Sequence, residues 1–181
     1  MSIDVRSAQA SLAEIDTVVA RLKQSSFYRA ASILMVVWGV LVAAGYIACA
    51  VLANRAFGIW LIVDGLGIAA TLATGLYYRR VGVAFDWRIV VAVLLFFAFG
   101  AACSWMGHFG PRELSAFWPI LFMFGYALAG LWLGRAFILV GVGVALLIFA
   151  GYLWVDRGFE LYLAAVEGGG LVIAGLWMRR A

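Results

Sequence analysis

The sequence predicts an all-α, polytopic integral membrane protein with six transmembrane helices, and three observations support this fold class. Of the 181 residues, 67% are apolar and only 12% are charged, about half the charged fraction of a typical soluble domain. Six largely uncharged segments are each about 20 residues long, which is the length of helix that crosses the hydrocarbon core. These segments leave few residues over, so no separate soluble domain is expected.

The six predicted spans form one transmembrane domain, residues 30–178, and a helix over residues 2–26 precedes it. The spans cover residues 30–53, 57–78, 87–107, 114–133, 136–155 and 159–178. Short connections predict that consecutive spans are antiparallel neighbours. We therefore expect three short-looped hairpins.

The distribution of Lys and Arg predicts the orientation, because positive residues are retained on the cytoplasmic side of a membrane. Few lie on the predicted outer side, namely Arg55, Arg112 and Arg157. Most lie on the predicted inner side, namely Arg6, Arg21, Lys23, Arg29, Arg79, Arg80, Arg88, Arg135, Arg179 and Arg180. Both termini are thus expected in the cytoplasm of a bacterium, with the chain in its cytoplasmic (inner) membrane. The net charge of +4 mostly reflects this bias, so no nucleic-acid partner is expected.

Residues 2–26 contain neither proline nor glycine and are predicted to form a cytoplasmic amphipathic helix. Apolar residues recur at alternating intervals of three and four, as in a coiled coil. Acidic and basic residues are balanced, so the helix lacks the basic face that binds anionic lipid. It either packs on the cytoplasmic ends of its own bundle or forms a coiled coil, in a homo-oligomer or with a cytoplasmic regulator. The first apolar segment is too long for a signal peptide, so it is expected to stay in the membrane.

The second span carries a polar seam on one helical face. Its members are separated by three or four residues and are Asp64, Gly67, Thr71, Thr74 and Tyr78. Such a face must meet protein or water, because lipid would leave its polar groups unsatisfied. Two interpretations fit: a seam of hydrogen bonds between helices, or a hydrated path for a proton or small solute.

Glu167 is the second acid deep within a predicted span. An ionisable group at that depth is costly and points to function. Glu160 lies on the same helical face, nearer the outer surface. No span has a Lys or Arg at its mid-depth, so Glu167 requires a proton, an imported cation or hydrogen bonds from neutral groups. Candidate neutral groups are Tyr46, Tyr126, Tyr152 and Trp38.

Three glycines, Gly168, Gly169 and Gly170, follow Glu167 directly. Together they lower helix propensity by roughly 3 kcal/mol relative to alanine. They permit either a hinge with locally unwound backbone or close packing against a neighbouring helix.

The outer end of the third span brings together Cys103, Met106 and His108. Thiolate, thioether and imidazole suit a soft ion such as Cu(I). The spacing matches no known ligand pattern, and a cysteine behaves equally well as a small apolar residue. No cofactor is expected.

The sequence lacks the motifs of membrane enzymes: it has no histidine within a span, no nucleophile elbow and no phosphate-cradling loop. We therefore expect a transporter or channel for a proton, small cation or small solute, working as a homo-oligomer in the lipid bilayer through its intramembrane carboxylates. Asp64 and Glu167 are expected to line its polar path, with Glu160 near the outer mouth. The alternative is a membrane-bound sensor or scaffold whose N-terminal helix binds a cytoplasmic regulator.

Overall fold

The computed structural model describes residues 5–79 and 87–179, and the side chains of these residues except 5–27, 53, 79 and 89. Every regular element in the described residues is helical, which confirms the all-α class for them. The helices are α1 (Val5–Val51), α2 (Ala56–Arg79), α3 (Trp87–Met106), α4 (Pro111–Leu133), α5 (Arg135–Trp154), α6 (Phe159–Leu163) and α7 (Gly170–Met178). A short 3-10 turn, Ala53–Arg55, precedes α2, and a π-helical segment, Ala164–Gly169, joins α6 to α7.

Five helical stretches are long and apolar enough to cross a membrane, as the predicted membrane-protein class requires. They are Tyr28–Val51, Ala56–Tyr78, Pro111–Leu133, Arg135–Trp154 and Phe159–Met178, and each matches a predicted span to within three residues. The remaining predicted span, residues 87–107, corresponds to α3, whose apolar part, Val90–Met106, is shorter. A sixth crossing and the cytoplasmic location of both termini stay predictions.

Helix α1 is longer than a membrane requires. It runs for 47 residues without a break, through the predicted N-terminal helix and into the first span. At a rise of 1.5 Å per residue it is about 70 Å long. The change from a polar to an apolar composition near residue 28 therefore does not interrupt the backbone helix. Residues 2–4 of the predicted N-terminal helix lie outside the described residues.

Helix α1 holds the described bundle together. It packs against α2 on one side and along α6, the π-helical segment and α7 on the other. Helix α5 contacts this last span and packs along most of α4, whereas α3 meets α4 over a short patch. At that patch Gly100 lies directly under Trp118 and Leu121. The three predicted hairpins thus differ in how closely their two helices pack.

Side chains satisfy the carbonyl groups that helix ends leave without partners. At the end of α4, the Tyr28 hydroxyl donates a 2.7 Å hydrogen bond to the carbonyl of Leu133. The next residue, Gly134, has φ +137°, a left-handed conformation that suits glycine. This glycine allows the immediate turn from α4 into α5.

Arg112 closes the opposite end of the bundle, where α5 stops. Its guanidinium donates to the carbonyls of Tyr152 at 3.0 Å, Val155 at 2.7 Å and Asp156 at 3.3 Å. The same group lies 4.8 Å from the ring centre of Phe159, a cation–π arrangement. Arg112 therefore has a structural role in addition to its place in the predicted charge pattern.

Ser32 joins α1 to α7 near the predicted inner end. Its fully buried hydroxyl donates a 2.6 Å hydrogen bond to the carbonyl of Gly175. The same oxygen accepts a 3.1 Å bond from Nε of Arg179.

Candidate functional site

The candidate site is centred on Glu167, which lies in the π-helical segment and is only 5% exposed. Its Oε2 is buried and has no hydrogen-bond partner in the described part of the chain. Buried polar atoms are nearly always paired, so this oxygen is exceptional. Wide π turns also occur frequently at functional sites. Both features mark Glu167 as the strongest candidate for a functional group.

The glycine after Glu167 brings two backbones into contact. A Cβ added at Gly168 would lie 2.6 Å from Cβ of Ala43 and 2.8 Å from the carbonyl oxygen of Gly39. A Cβ at Gly39 would in turn lie 2.7 Å from the carbonyl oxygen of Gly168. Close packing against α1 is therefore the role of Gly168, and we call this contact the Gly39–Gly168 crossing.

The other two glycines differ from Gly168. A Cβ at Gly169 would meet nothing within 4 Å, and one at Gly170 would lie 3.1 Å from Cγ2 of Val144 on α5. The helix does not break here, because the amide of Gly170 still donates to carbonyls of the preceding turn. Local unwinding is thus limited to one wide turn.

Tyr46 on α1 is a neutral polar group beside Glu167. It is buried, and its hydroxyl is close enough to the Glu167 carboxyl to interact with it electrostatically. The hydroxyl also donates a 3.2 Å hydrogen bond to the carbonyl of Ser115 on α4. Trp60 fixes the Tyr46 ring by an edge-on contact, with 4.9 Å between ring centres.

Pro119 explains why the carbonyl of Ser115 is free to accept this bond. In an α-helix, that carbonyl would accept the amide hydrogen of residue 119, four positions later. Proline has no amide hydrogen. Pro119 is buried within α4, and Tyr46 supplies the hydrogen that it lacks.

Three further titratable groups surround the Tyr46–Glu167 pair. Tyr126 on α4 is close enough to interact electrostatically with Glu167. Glu160 on α6 interacts in the same way with Tyr46 and with Cys49 on α1. Glu160 therefore faces α1, on the side of the helix that also carries Glu167, as its spacing predicted.

Asp64 lies apart from this group. It is exposed on α2, and the structure gives it no hydrogen bond or ion pair within the residues it describes. Asp64 and Glu167 were expected to line one polar path, but the structure does not bring them together.

The polar seam of α2 is largely satisfied by hydrogen bonds. Thr71 accepts a 3.1 Å bond from Nε1 of Trp38 and donates to the carbonyl of Gly67. Gly67 leaves room for the Trp38 indole, which an added Cβ would overlap. Thr74 donates to the carbonyl of its own helix at residue 70, and Tyr78 packs against the neighbouring tyrosine ring. This arrangement favours the hydrogen-bonded interpretation of the seam over the hydrated path.

One cavity among the described residues also differs in character from a polar path. It is an open groove of about 280 Å³ between α4 and α5, and it contains neither Glu167 nor Asp64. Its lining is apolar: Ile120, Met123, Phe124, Ala127, Gly141, Val142, Ala145, Leu146 and Phe149.

The possible soft-metal ligands differ in how far they are exposed. Cys103 is half-buried, whereas His108 is exposed and Met106 is 74% exposed. Across residues 5–79 and 87–179, no three His, Cys, Asp or Glu side chains are grouped as a metal site would require. Cys49 is buried on α1, beside Trp60.

No protein-family model, curated protein or solved structure matches the chain. Its function is therefore inferred from its own residues. The link between Tyr46, Ser115 and Pro119 was not predicted. The position of Pro119 inside a span indicates that the carbonyl of Ser115 lacks a helical partner, but not which side chain supplies the hydrogen.

Proposed function

We propose that the protein is a small multi-span membrane transporter or channel in which Glu167 binds the transported proton or small cation. One observation carries this proposal: the Glu167 carboxyl is buried at mid-span, on a π turn, with one oxygen unpaired. Buried intramembrane acids commonly belong to proton relays and ion pathways. The host membrane in this proposal is the bacterial cytoplasmic membrane, with both termini inside.

Transport assays in proteoliposomes test this role. A pH gradient is imposed across vesicles containing the purified protein, and a trapped pH-sensitive dye reports its decay. We expect Glu167→Gln to abolish decay above the rate of empty vesicles. Asp156→Asn is the matched control, because Asp156 is an exposed acid beyond the end of α5. A Glu167→Gln protein that is as active as the wild type would exclude Glu167 as the binding group.

Asp64 supports a separate part of the proposal, a homo-oligomer that packs through α2. Acidic side chains within membranes almost always face protein or a water-filled cavity, yet Asp64 is exposed on the single chain. Gly58, Gly65 and Gly75 leave open surface on the same helix, since an added Cβ at each would meet nothing within 4 Å. Small residues let membrane helices approach closely. A second copy would thus cover the carboxyl.

Cysteine cross-linking in membranes tests the oligomer. In a chain with Cys49 and Cys103 replaced by alanine, Gly65→Cys is expected to form a disulfide-linked dimer under oxidation. Val63→Cys is the control, because Val63 is buried against α1. Equal cross-linking at both positions, or none at position 65, would contradict an α2 interface.

The second candidate function is a sensor or scaffold that binds a cytoplasmic regulator through residues 2–26. The continuity of α1 favours it, because the same helix carries both this segment and Tyr46 at the Glu167 site. Affinity purification of the full-length chain and of a chain lacking residues 2–26 separates the two candidates. Loss of one specific partner on truncation supports the sensor, whereas unchanged proton flux in the truncated chain supports the transporter.

A further inference from the structure

The apolar groove between α4 and α5 lies outside the Glu167 site and is open to the surroundings of the bundle. Its lining residues lie at mid-depth in two predicted spans, so in a bilayer the groove meets hydrocarbon rather than water. We propose that the groove binds one acyl chain of an anionic phospholipid, and that Arg135 at the start of α5 binds the phosphate of the same molecule.

The groove lies where α4 and α5 touch through small residues. A Cβ added at Gly141 would lie 2.5 Å from the carbonyl oxygen of Met123 and 2.7 Å from the amide nitrogen of Ala127. Larger side chains stand on either side of this contact, with Phe124 on α4 56% exposed and Leu146 on α5 63% exposed. The small residues thus leave a recess between two exposed apolar walls.

The recess has the width of one hydrocarbon chain rather than of a helix. Its lining positions on α5 run from Gly141 to Phe149, a rise of about 12 Å. A volume of about 280 Å³ over this length gives a cross-section of roughly 23 Å². A helix about 10 Å across has a cross-section of roughly 80 Å². Every lining residue is apolar, so a polar occupant would have unpaired groups there.

Arg135 lies on the groove side of α5. It precedes Val142 by seven residues and Phe149 by fourteen, close to two and four helical turns, so the three share one face. The groove begins at Gly141, about 9 Å further along the helix. Arg135 is exposed and makes no hydrogen bond or ion pair with other described residues. Its guanidinium is therefore available to bind a phosphate through paired hydrogen bonds.

The opposite end of the groove carries the opposite charge. Glu113 precedes Ile120 by seven residues on α4, so it lies on the groove face of that helix. The adjacent Arg112 already donates to carbonyls at the end of α5. An anionic headgroup is thus repelled at the Glu113 end and attracted at the Arg135 end.

The depth of Arg135 suits a lipid headgroup. Trp132 is 80% exposed at the adjoining end of α4, and exposed indoles prefer the headgroup level of a membrane. From this level an acyl chain extends about 15 Å inward, half the thickness of the hydrocarbon core. It therefore reaches past Gly141 into the groove. Basic sites between membrane helices are known to bind acidic headgroups.

Native mass spectrometry of the full-length protein tests the proposal, with the protein released from micelles that contain one added phospholipid at a time. Phosphatidylglycerol supplies an anionic headgroup, and phosphatidylcholine with the same acyl chains supplies a zwitterionic one. We expect one phosphatidylglycerol to be retained per chain, and phosphatidylcholine to bind about fivefold more weakly. Equal retention of the two lipids would overturn the proposal.

Substitution of the phosphate ligand separates it from other basic residues. Arg135→Gln is expected to weaken phosphatidylglycerol binding about fivefold and to leave phosphatidylcholine binding unchanged. Arg157→Gln is the matched control, because Arg157 is an exposed arginine beyond the other end of α5, and it is expected to bind both lipids as the wild type does. Phosphatidylglycerol binding that is unchanged in Arg135→Gln would overturn the assignment of the headgroup site.

Substitutions in the lining test the acyl-chain site. Ala145→Leu fills the groove, and Phe124→Ala removes an exposed wall without disturbing the core, so each is expected to weaken binding of both lipids. Ala102→Leu, at an exposed position on α3, is the control for the added volume and is expected to have no effect. Unchanged retention in both groove variants would overturn the proposal.

A second copy of the chain is the competing occupant, and the same spectra distinguish it from a lipid. An Ala145→Leu protein that loses its lipid and keeps the wild-type oligomeric state supports the lipid site. A wild type that retains no lipid, together with an Ala145→Leu protein that dissociates, would assign the groove to a second copy. Neither result depends on proton flux, so the outcome is separate from that of the transport assay.

Discussion

Alanine at position 168 is expected to force α1 away from the sixth predicted span, whereas alanine at position 169 is not. The added Cβ at Gly168 would lie 2.6 Å from a side-chain carbon and 2.8 Å from a backbone oxygen of α1. Contacts this short cannot be relieved by rotating a flexible side chain, so the helices must separate. At Gly169 the added methyl group meets nothing within 4 Å.

The two substitutions share every effect except this contact. Each replaces glycine by alanine in the same wide turn, so the gain in helix propensity, about 1 kcal/mol in water, cancels in the comparison. Overpacking a close contact costs roughly 1–3 kcal/mol. The free energy of unfolding of Gly168→Ala is therefore expected to be lower than that of Gly169→Ala by about 1–3 kcal/mol. That difference corresponds to roughly a 5- to 150-fold change in the unfolding equilibrium.

Reversible unfolding in mixed micelles, followed by circular dichroism across a range of denaturing detergent, measures this difference. The wild type is expected to lie between the two variants or close to Gly169→Ala. A Gly168→Ala protein as stable as Gly169→Ala would refute the close crossing. Combining Gly168→Ala with Gly39→Ala should cost less than the sum of the single changes, because once the helices have separated the second methyl group meets a wider gap.

Three further predictions concern the ties between helices, each measured as the free energy of unfolding. Arg112→Lys is expected to lower the free energy of unfolding by about 1–2 kcal/mol. Lysine lacks the planar guanidinium that bonds three carbonyls at the end of α5 while it stacks on an aromatic ring. Arg55→Lys, at an exposed position, is the control and should be neutral. Ser32→Ala should cost about 1 kcal/mol because it removes a buried hydrogen bond between α1 and α7, whereas Ser104→Ala, whose hydroxyl bonds only its own helix, should cost less. Gly134→Ala is expected to cost about 1–3 kcal/mol, because residues other than glycine rarely adopt its φ of +137° and because the added Cβ would overlap the Tyr28 hydroxyl. A neutral result there would contradict the φ of the turn.

Hydropathy was sufficient to locate most spans, because about 20 apolar residues in succession have few alternatives to a membrane helix. It was less informative at helix ends. The fourth span was predicted from residue 114, but its helix begins at Pro111. Proline fits the first helical position, where the amide needs no partner within the helix. Arg112 and Glu113, which follow it, belong to the helix but not to its apolar part. Within α1, the composition changes from polar to apolar near residue 28, although the backbone helix continues.

The candidate site was only partly predictable. The cost of a buried acid singled out Glu167, and Tyr46 was among the neutral groups proposed as its partner. Spacing along one helix shows which side chains share a face, but not which neighbour that face meets. This is why spacing could not show whether Asp64 and Glu167 face one path, and why Trp38 could not be assigned to Thr71. The bond between Tyr46 and Ser115 depends on how α1 and α4 pack, which no single-helix pattern contains.

Because α1 is one unbroken helix, a small tilt of the helix would move its N-terminal end further than its middle. The helix extends about 50 Å from the Gly39–Gly168 crossing to Val5. If the helix pivots at the crossing by about 5°, its far end swings through roughly 4 Å, while the atoms around Glu167 move by a fraction of that distance. Because Gly168 directly follows Glu167, a small change at the candidate site would reach the N-terminal end of α1 as a larger displacement.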